Sequence, residues 1–114
     1  MEMITQNNIL IAEFMGFKKD SPSTNWYYDL KKSRYYRLNE LLYDTDWNWL
    51  MKVVDKIESL GYVHSIYGNF STFLKKGTFN ELIWVDEFRG NTKLEAVYIS
   101  VIEFIKWYNE TKQK

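Results

Sequence analysis

The stretch Tyr43-Asp44-Thr45-Asp46-Trp47-Asn48-Trp49-Leu50-Met51 constrains the fold more than any other part of the chain. It sets two aspartates and a threonine directly ahead of an apolar series, Trp47, Leu50, Met51, Val54 and Ile57, that recurs at helical spacing. Acidic and cap-forming side chains suit a helix start, where they meet free amides and the positive end of the helix dipole. The spacing predicts a helix from Asp46 to Leu60, stopped by Gly61. Beyond Gly61 the period shortens to that of extended chain. Tyr62 to Tyr67, Phe70 to Lys75 and about Asn80 to Phe88 read as three strands. Gly68-Asn69 marks the first turn, where both residues tolerate positive φ, and Gly77-Thr78 marks the second less sharply. In the third strand Leu82, Trp84 and Phe88 fall on one face, with Ile83 and Val85 on the other.

Before this block the pattern predicts a helix over about Thr5 to Met15. Thr5 serves as N-cap, and Leu10, Ile11, Phe14 and Met15 supply the apolar face. Gly16 accepts the left-handed stop, and Phe17 can add the apolar contact that accompanies it. Lys18 to Asn25, with the chain's one proline at Pro22, reads as a surface loop. Trp26 to Leu30 and Tyr35 to Leu38 are aromatic-rich and predict a short hairpin across Lys31-Lys32-Ser33-Arg34, a turn without glycine. At the other end, Thr92-Lys93-Leu94-Glu95 has the form of a capping box. Leu94, Val97, Tyr98, Val101, Ile105 and Tyr108 then continue at helix spacing. The order predicts one α+β domain over residues 1–114. An antiparallel sheet of about three strands, with a short additional hairpin, is expected between three helices.

At 114 residues the chain is long enough for one core without staples, burying roughly 65% of its unfolded surface. It has no cysteine, which excludes disulfides, thiolate zinc sites and cysteine nucleophiles. No apolar run reaches the ~18 residues of a membrane span, and the polar start is unlike a signal peptide. The expected location is the cytoplasm of a bacterial host, with no membrane partner. The formal charge is zero, which argues against a dedicated nucleic-acid binder. The distribution is uneven, however: Lys18, Lys19, Lys31, Lys32, Arg34 and Arg37 face only Asp20 and Asp29 within their stretch. Nine tyrosines and five tryptophans exceed what one small core normally takes, so some rings are expected at an interface.

Three blocks carry a resemblance. Asn7-Asn8-Ile9-Leu10-Ile11-Ala12-Glu13-Phe14-Met15-Gly16 resembles the opening of small uncharacterised phage and prophage proteins of Bacteroidetes-type hosts. Tyr43 through Gly61, with Thr45-Asp46-Trp47 and Val53-Val54-Asp55-Lys56-Ile57, is similar to their central helix. Lys93-Leu94-Glu95-Ala96-Val97-Tyr98 and Glu103-Phe104-Ile105-Lys106-Trp107-Tyr108-Asn109 resemble their closing helix. The layout is remotely similar to the phage ABA sandwich domain. The likeness covers most of the chain but not 22–37 or 77–89. Where those proteins have proline this chain has Lys52, a departure expected only to straighten the helix. The resemblance implies a non-enzymatic accessory protein and brings no catalytic residues with it.

Among chemical candidates, Asp44 and Asp46 form a carboxylate pair suited to acid–base work or a hard cation, but a helix start explains them more simply. His64 is the only histidine and has no nucleophile-elbow serine beside it; Ser65 and Ser71 read as strand or turn residues. The scattered glycines make no phosphate loop or dinucleotide fingerprint. No cofactor or metal is expected. The principal candidate surface is Trp26, Tyr27, Tyr28, Lys31, Lys32, Arg34, Tyr35, Tyr36 and Arg37. Rings beside cations suit a protein partner, from host or phage, and secondarily single-stranded nucleic acid. A hairpin with one packed and one solvated basic face is the alternative. Trp49, Trp107 and Tyr108 offer a second aromatic surface, for self-association or for core packing.

Overall fold

The computed structural model describes residues 2–19, 26–76 and 82–112. Helix α1 spans Glu2–Phe14, so it begins ahead of Thr5 and that residue lies inside the helix rather than capping it. The stop is as expected. Gly16, at φ +92°, lets its amide reach the Glu13 carbonyl at 3.0 Å and the Phe17 amide reach that of Ala12 at 2.9 Å. Together these bonds satisfy the last carbonyls of the helix in a Schellman arrangement.

The chain then builds a small antiparallel sheet in the order β1 (Lys18–Lys19), β2 (Trp26–Asp29), β3 (Arg34–Arg37). The predicted hairpin is present. Lys18 and Lys19, expected in a loop, instead pair with Tyr28 and Tyr27 on its far edge. The rest of that loop, 20–25 with Pro22, lies outside the described residues. Leu30 belongs to the turn and Leu38 to a 3-10 turn, Leu38–Glu40, so the first strand is one residue shorter than expected and the second, of the expected length, lies one position earlier. The hairpin turns without glycine because Asp29 Oδ1 accepts the Lys31 amide at 3.0 Å, while Ser33 takes the left-handed position at φ +51°.

Helix α2 spans Trp47–Ser59, and Asp46 caps it: its carboxylate accepts the Asn48 amide at 2.7 Å and the Trp49 amide at 3.4 Å. The buried stripe is Leu50, Val53, Val54 and Ile57. Trp47, expected in that stripe, is 40% exposed, because as the first helical residue it sits beyond the packed turns. A second sheet follows, β4 (Tyr62–Tyr67), β5 (Phe70–Lys76) and β6 (Leu82–Arg89), antiparallel with β5 central. At its first turn Gly68 has φ +57° but Asn69 does not turn positive, the pattern of a type II′ rather than a I′ turn. The register slips between Phe73, opposite Asp86, and Leu74, opposite Trp84, leaving Val85 as the extra residue of a bulge. The second turn at Gly77-Thr78 and the side chains of 82–87, on which the expected faces of this strand rest, lie outside the described residues.

Helix α3, Lys93–Lys112, packs against β5, β6, α1 and α2. Its cap differs from a closed box: Thr92 Oγ1 accepts the Glu95 amide at 3.1 Å, but Glu95 accepts from Asn91 at 2.8 Å instead of Thr92. Burial extends well beyond one stripe, to Ala96, Ser100, Ile102 and Phe104 besides Val97, Tyr98, Val101 and Ile105, because four elements surround it. The main core joins Val97, Tyr98, Val101, Ile102, Phe104 and Ile105 to Ile11, Tyr43, Leu50, Ile57 and Phe73. The architecture is α+β, with three helices, a three-stranded antiparallel sheet and a second sheet built on the short hairpin.

Candidate functional site

Strand alternation divides the predicted aromatic patch into two faces. Trp26 pairs with Arg37 and Tyr28 with Tyr35, which sets these four on the outer side of the hairpin. There Tyr28 and Tyr35 meet at 4.7 Å between ring centroids, Trp26 stands edge-on to Tyr35 at 6.3 Å, and Arg37 lies over the Trp26 ring at 4.8 Å. Trp26 is 37% and Tyr35 48% exposed. Tyr27, Asp29, Arg34 and Tyr36 take the inner side. Tyr27 and Tyr36 are buried, so neither ring is available to a partner. Burial, with the Glu13 charge second, pushes the Tyr27 phenol up.

The inner side closes over α2 and forms a cleft of about 1010 Å³, at the upper end of small-molecule sites. Tyr36 anchors it: Phe17 stacks on Tyr36 at 5.6 Å and Trp49 meets it edge-on at 5.3 Å. Trp49 also touches Tyr43 at 5.1 Å, which places this ring at the margin of the core and in the wall of the cleft. Five cations line the same cleft, Lys31, Lys32 and Arg34 from the hairpin and Lys52 and Lys56 from α2, together with the carboxylates of Asp29, Glu40 and Asp55. Arg34 lies over the Tyr36 ring at 4.9 Å. Lys56 donates to the carbonyl of Phe14 at the end of α1 and lies over the Phe14 ring at 4.6 Å. Burial, then the Lys31 charge, lowers its ammonium below the ordinary lysine value. Lys52 is lowered by contact with the Lys32 side chain and then by its charge, while Asp29 and Asp46 pull the other way. Among the described residues the one ion pair is Lys106–Glu103 on α3, at 3.4 Å, so no carboxylate is paired with these five cations.

Lys52 and Lys56 are the residues that sequence reasoning misses. Their signal is faint: two lysines at i, i+4 on the face of α2 away from its apolar stripe, which by itself describes any solvated helix face.

The other candidates are accounted for by packing. Asp46 is the α2 cap, and Asp44 accepts from Asn8 Nδ2 at 3.0 Å. Among the described residues no group of three or more metal-ligating side chains gathers. His64 Nε2 is 2.9 Å from Ser71 Oγ, which is 2.7 Å from Ser100 Oγ, which donates to the Val97 carbonyl at 2.9 Å. The Ser100 proton is committed to that carbonyl, so Ser71 donates to Ser100 and His64 donates to Ser71. A histidine donating to a serine cannot take that serine's proton. Burial lowers the His64 pKa, keeping the ring neutral. Tyr108 stacks on Phe104 at 5.7 Å and meets Phe14 edge-on at 6.1 Å, and Trp107 is 37% exposed beside Tyr62. No described helix is long and apolar enough to cross a membrane. No protein-family model matches the chain, and no curated protein or solved structure similar to it is found.

Proposed function

We propose that this is a non-enzymatic binding protein, of the phage or prophage accessory kind, that acts in the cytoplasm of a bacterial host and recognises a host or phage protein through the outer face of its 26–37 hairpin. The observation that carries this reading is the set Trp26, Tyr28, Tyr35 and Arg37 on one side of a strand pair whose other side is anchored by Tyr27 and Tyr36. Rings held on paired strands lose little entropy on binding, and Trp, Tyr and Arg dominate interface hot spots. Asp44, Asp46 and His64, the residues closest to a catalytic set, each have a structural task.

The test is a tagged pull-down from bacterial host lysate, with and without nuclease, using the native protein and a Trp26→Ser/Tyr35→Ser variant. One dominant protein that survives nuclease and is lost with the variant supports the reading. Capture by the variant equal to that of the native protein sinks it. A second reading, single-stranded nucleic acid, draws on Arg37 beside the same rings, with Lys31, Lys32 and Arg34 on the other side of the hairpin. It requires capture that disappears with nuclease and weakens steeply with salt.

A further inference from the structure

The inner side of the hairpin presents chemistry that the outer side lacks, and it stands apart from the protein-binding reading. Five cationic side chains line one cleft with three carboxylates, Asp29, Glu40 and Asp55, a local surplus of two positive charges in a chain that is neutral as a whole. Among the described residues none of the five is in an ion pair. Solvated lysines on a neutral protein ordinarily spread apart, since like charges set together oppose one another. Here Lys32 from the hairpin turn and Lys52 from α2 stand side by side, brought together by tertiary structure and not by sequence proximity. Two adjacent ammonium groups are best bridged by one multiply charged anion. A phosphate group carries about −1.5 to −2 and three acceptor oxygens, whereas a carboxylate offers a single charge. The wall below this cationic rim is apolar and aromatic, made by Phe17, Leu42 and the half-buried Trp49. Its volume exceeds what a lone phosphate ion would need.

We propose that the cleft between the hairpin and α2 is a binding site for a nucleotide-class ligand. Lys32 and Lys52, with Lys31 and Arg34, clamp its phosphates, and the wall around Trp49 receives its planar ring. In this arrangement the phosphates replace a repulsive contact by two attractive ones, and the ring covers apolar surface in the cleft. Neither half suffices alone: phosphate without a ring leaves the wall wet, and a nucleoside without phosphate leaves the lysine pair unbridged.

The test is titration calorimetry on the full chain with ADP, pyrophosphate and adenosine as separate probes, and with a short single-stranded oligonucleotide. ADP is expected to bind at one site, with pyrophosphate and adenosine each at least about tenfold weaker. Lys32→Gln and Lys52→Gln should each weaken ADP about tenfold or more. Lys106→Gln, which removes the same charge from the exposed face of α3, should leave ADP affinity unchanged. Both cleft lysines are exposed, so their replacement should preserve the fold, and unchanged circular dichroism with an undiminished melting temperature verifies this. Pyrophosphate binding as well as ADP would overturn the ring half of the proposal. No ADP binding, an equal loss in Lys106→Gln, or preference for the oligonucleotide would overturn it entirely.

Discussion

Ser71 and Ser100 meet hydroxyl to hydroxyl at 2.7 Å where the middle strand of the large sheet rests on α3. Both are buried, and the pair would be an apolar contact in most sheet–helix interfaces. The direction of the chain from His64 through both serines to the Val97 carbonyl makes the two unequal. Ser71→Ala leaves the His64 Nε2 proton without its acceptor and should destabilise the fold by about 1–3 kcal/mol. Ser100→Ala frees Ser71 to rotate and donate to His64, and alanine also favours the helix, so its cost should be smaller. The imidazole should then change tautomer, from Nε2–H in the native protein to Nδ1–H in Ser100→Ala. Nitrogen chemical shifts of the ring distinguish these states, and an unchanged tautomer would refute the assigned direction.

His64 also sets a pH dependence. Its folded pKa is lowered from 6.5 by burial; among the described residues its ring meets Ser71 and Phe73, neither charged at neutral pH. Above the unfolded value both states are neutral at this site and its contribution to stability is complete. As pH falls through 6.5 toward the folded value, the unfolded chain takes a proton that the folded chain refuses, so stability is lost. Urea unfolding of the native protein should therefore weaken between pH 7 and about pH 5.5, above the main carboxylate range. His64→Gln should flatten that slope. A native curve level across the window would remove the argument.

Asn8 joins three elements. Its amide donates to the Leu41 carbonyl and to Asp44, each at 3.0 Å, and its oxygen accepts from the Tyr98 hydroxyl at 2.9 Å. That pattern uses both donors and the acceptor, and fixes the amide orientation. Burial, then the charge of Asp44, pushes the Tyr98 phenol up, so the hydroxyl stays a donor. Asn8→Leu leaves the Leu41 carbonyl without this donor and the Tyr98 hydroxyl with only its longer bond to the Ile4 carbonyl at 3.4 Å, for a loss of about 1–3 kcal/mol. Tyr98→Phe should cost less, and the double variant should cost less than the sum, by about 1 kcal/mol. Additive losses in chemical denaturation would show that the two side chains do not act together.

Local signals explain what is legible in the sequence. Asp46, Gly16, Gly61 and Thr92 mark helix ends because a cap is satisfied within a few residues of itself, and each does so here or nearly so. Trp47 misleads because periodicity alone cannot say that the first turn of a helix overhangs its support. The two faces of the 26–37 hairpin follow from alternation once the register is known, and the register needs the Asp29 turn, which carries no glycine. The cleft is not legible at all. It depends on α2 presenting Lys52 and Lys56 to a hairpin formed earlier in the chain, and no local pattern encodes that meeting.

Gly90 shows the same limit and allows a sharp test. Among scattered glycines it looks like a turn residue, yet no positive φ is required of it. It is needed for space: a Cβ there would stand 2.4 Å from the Ala96 amide nitrogen and 2.8 Å from the Glu95 carbonyl carbon, both backbone atoms at the start of α3. Its own amide donates to the Asn69 carbonyl at 2.9 Å, tying the end of β6 to the first hairpin turn of the sheet. Gly90→Ala must therefore move the strand end or the helix start, and relief by side-chain rotation is not open to backbone atoms. The expected loss is about 1–3 kcal/mol in urea unfolding, the usual range for forcing atoms into a filled site. Gly68→Ala provides the contrast, since a Cβ there meets nothing within 4 Å and strain comes only from its φ of +57°. Substituting Asn at both positions separates the causes. Asn takes positive φ more readily than Ala, so Gly68→Asn should recover part of the stability lost in Gly68→Ala although the first position of a II′ turn favours glycine, whereas Gly90→Asn should be no better than Gly90→Ala. Recovery at position 90 would mean that conformation, and not the approach of α3, is what demands glycine there.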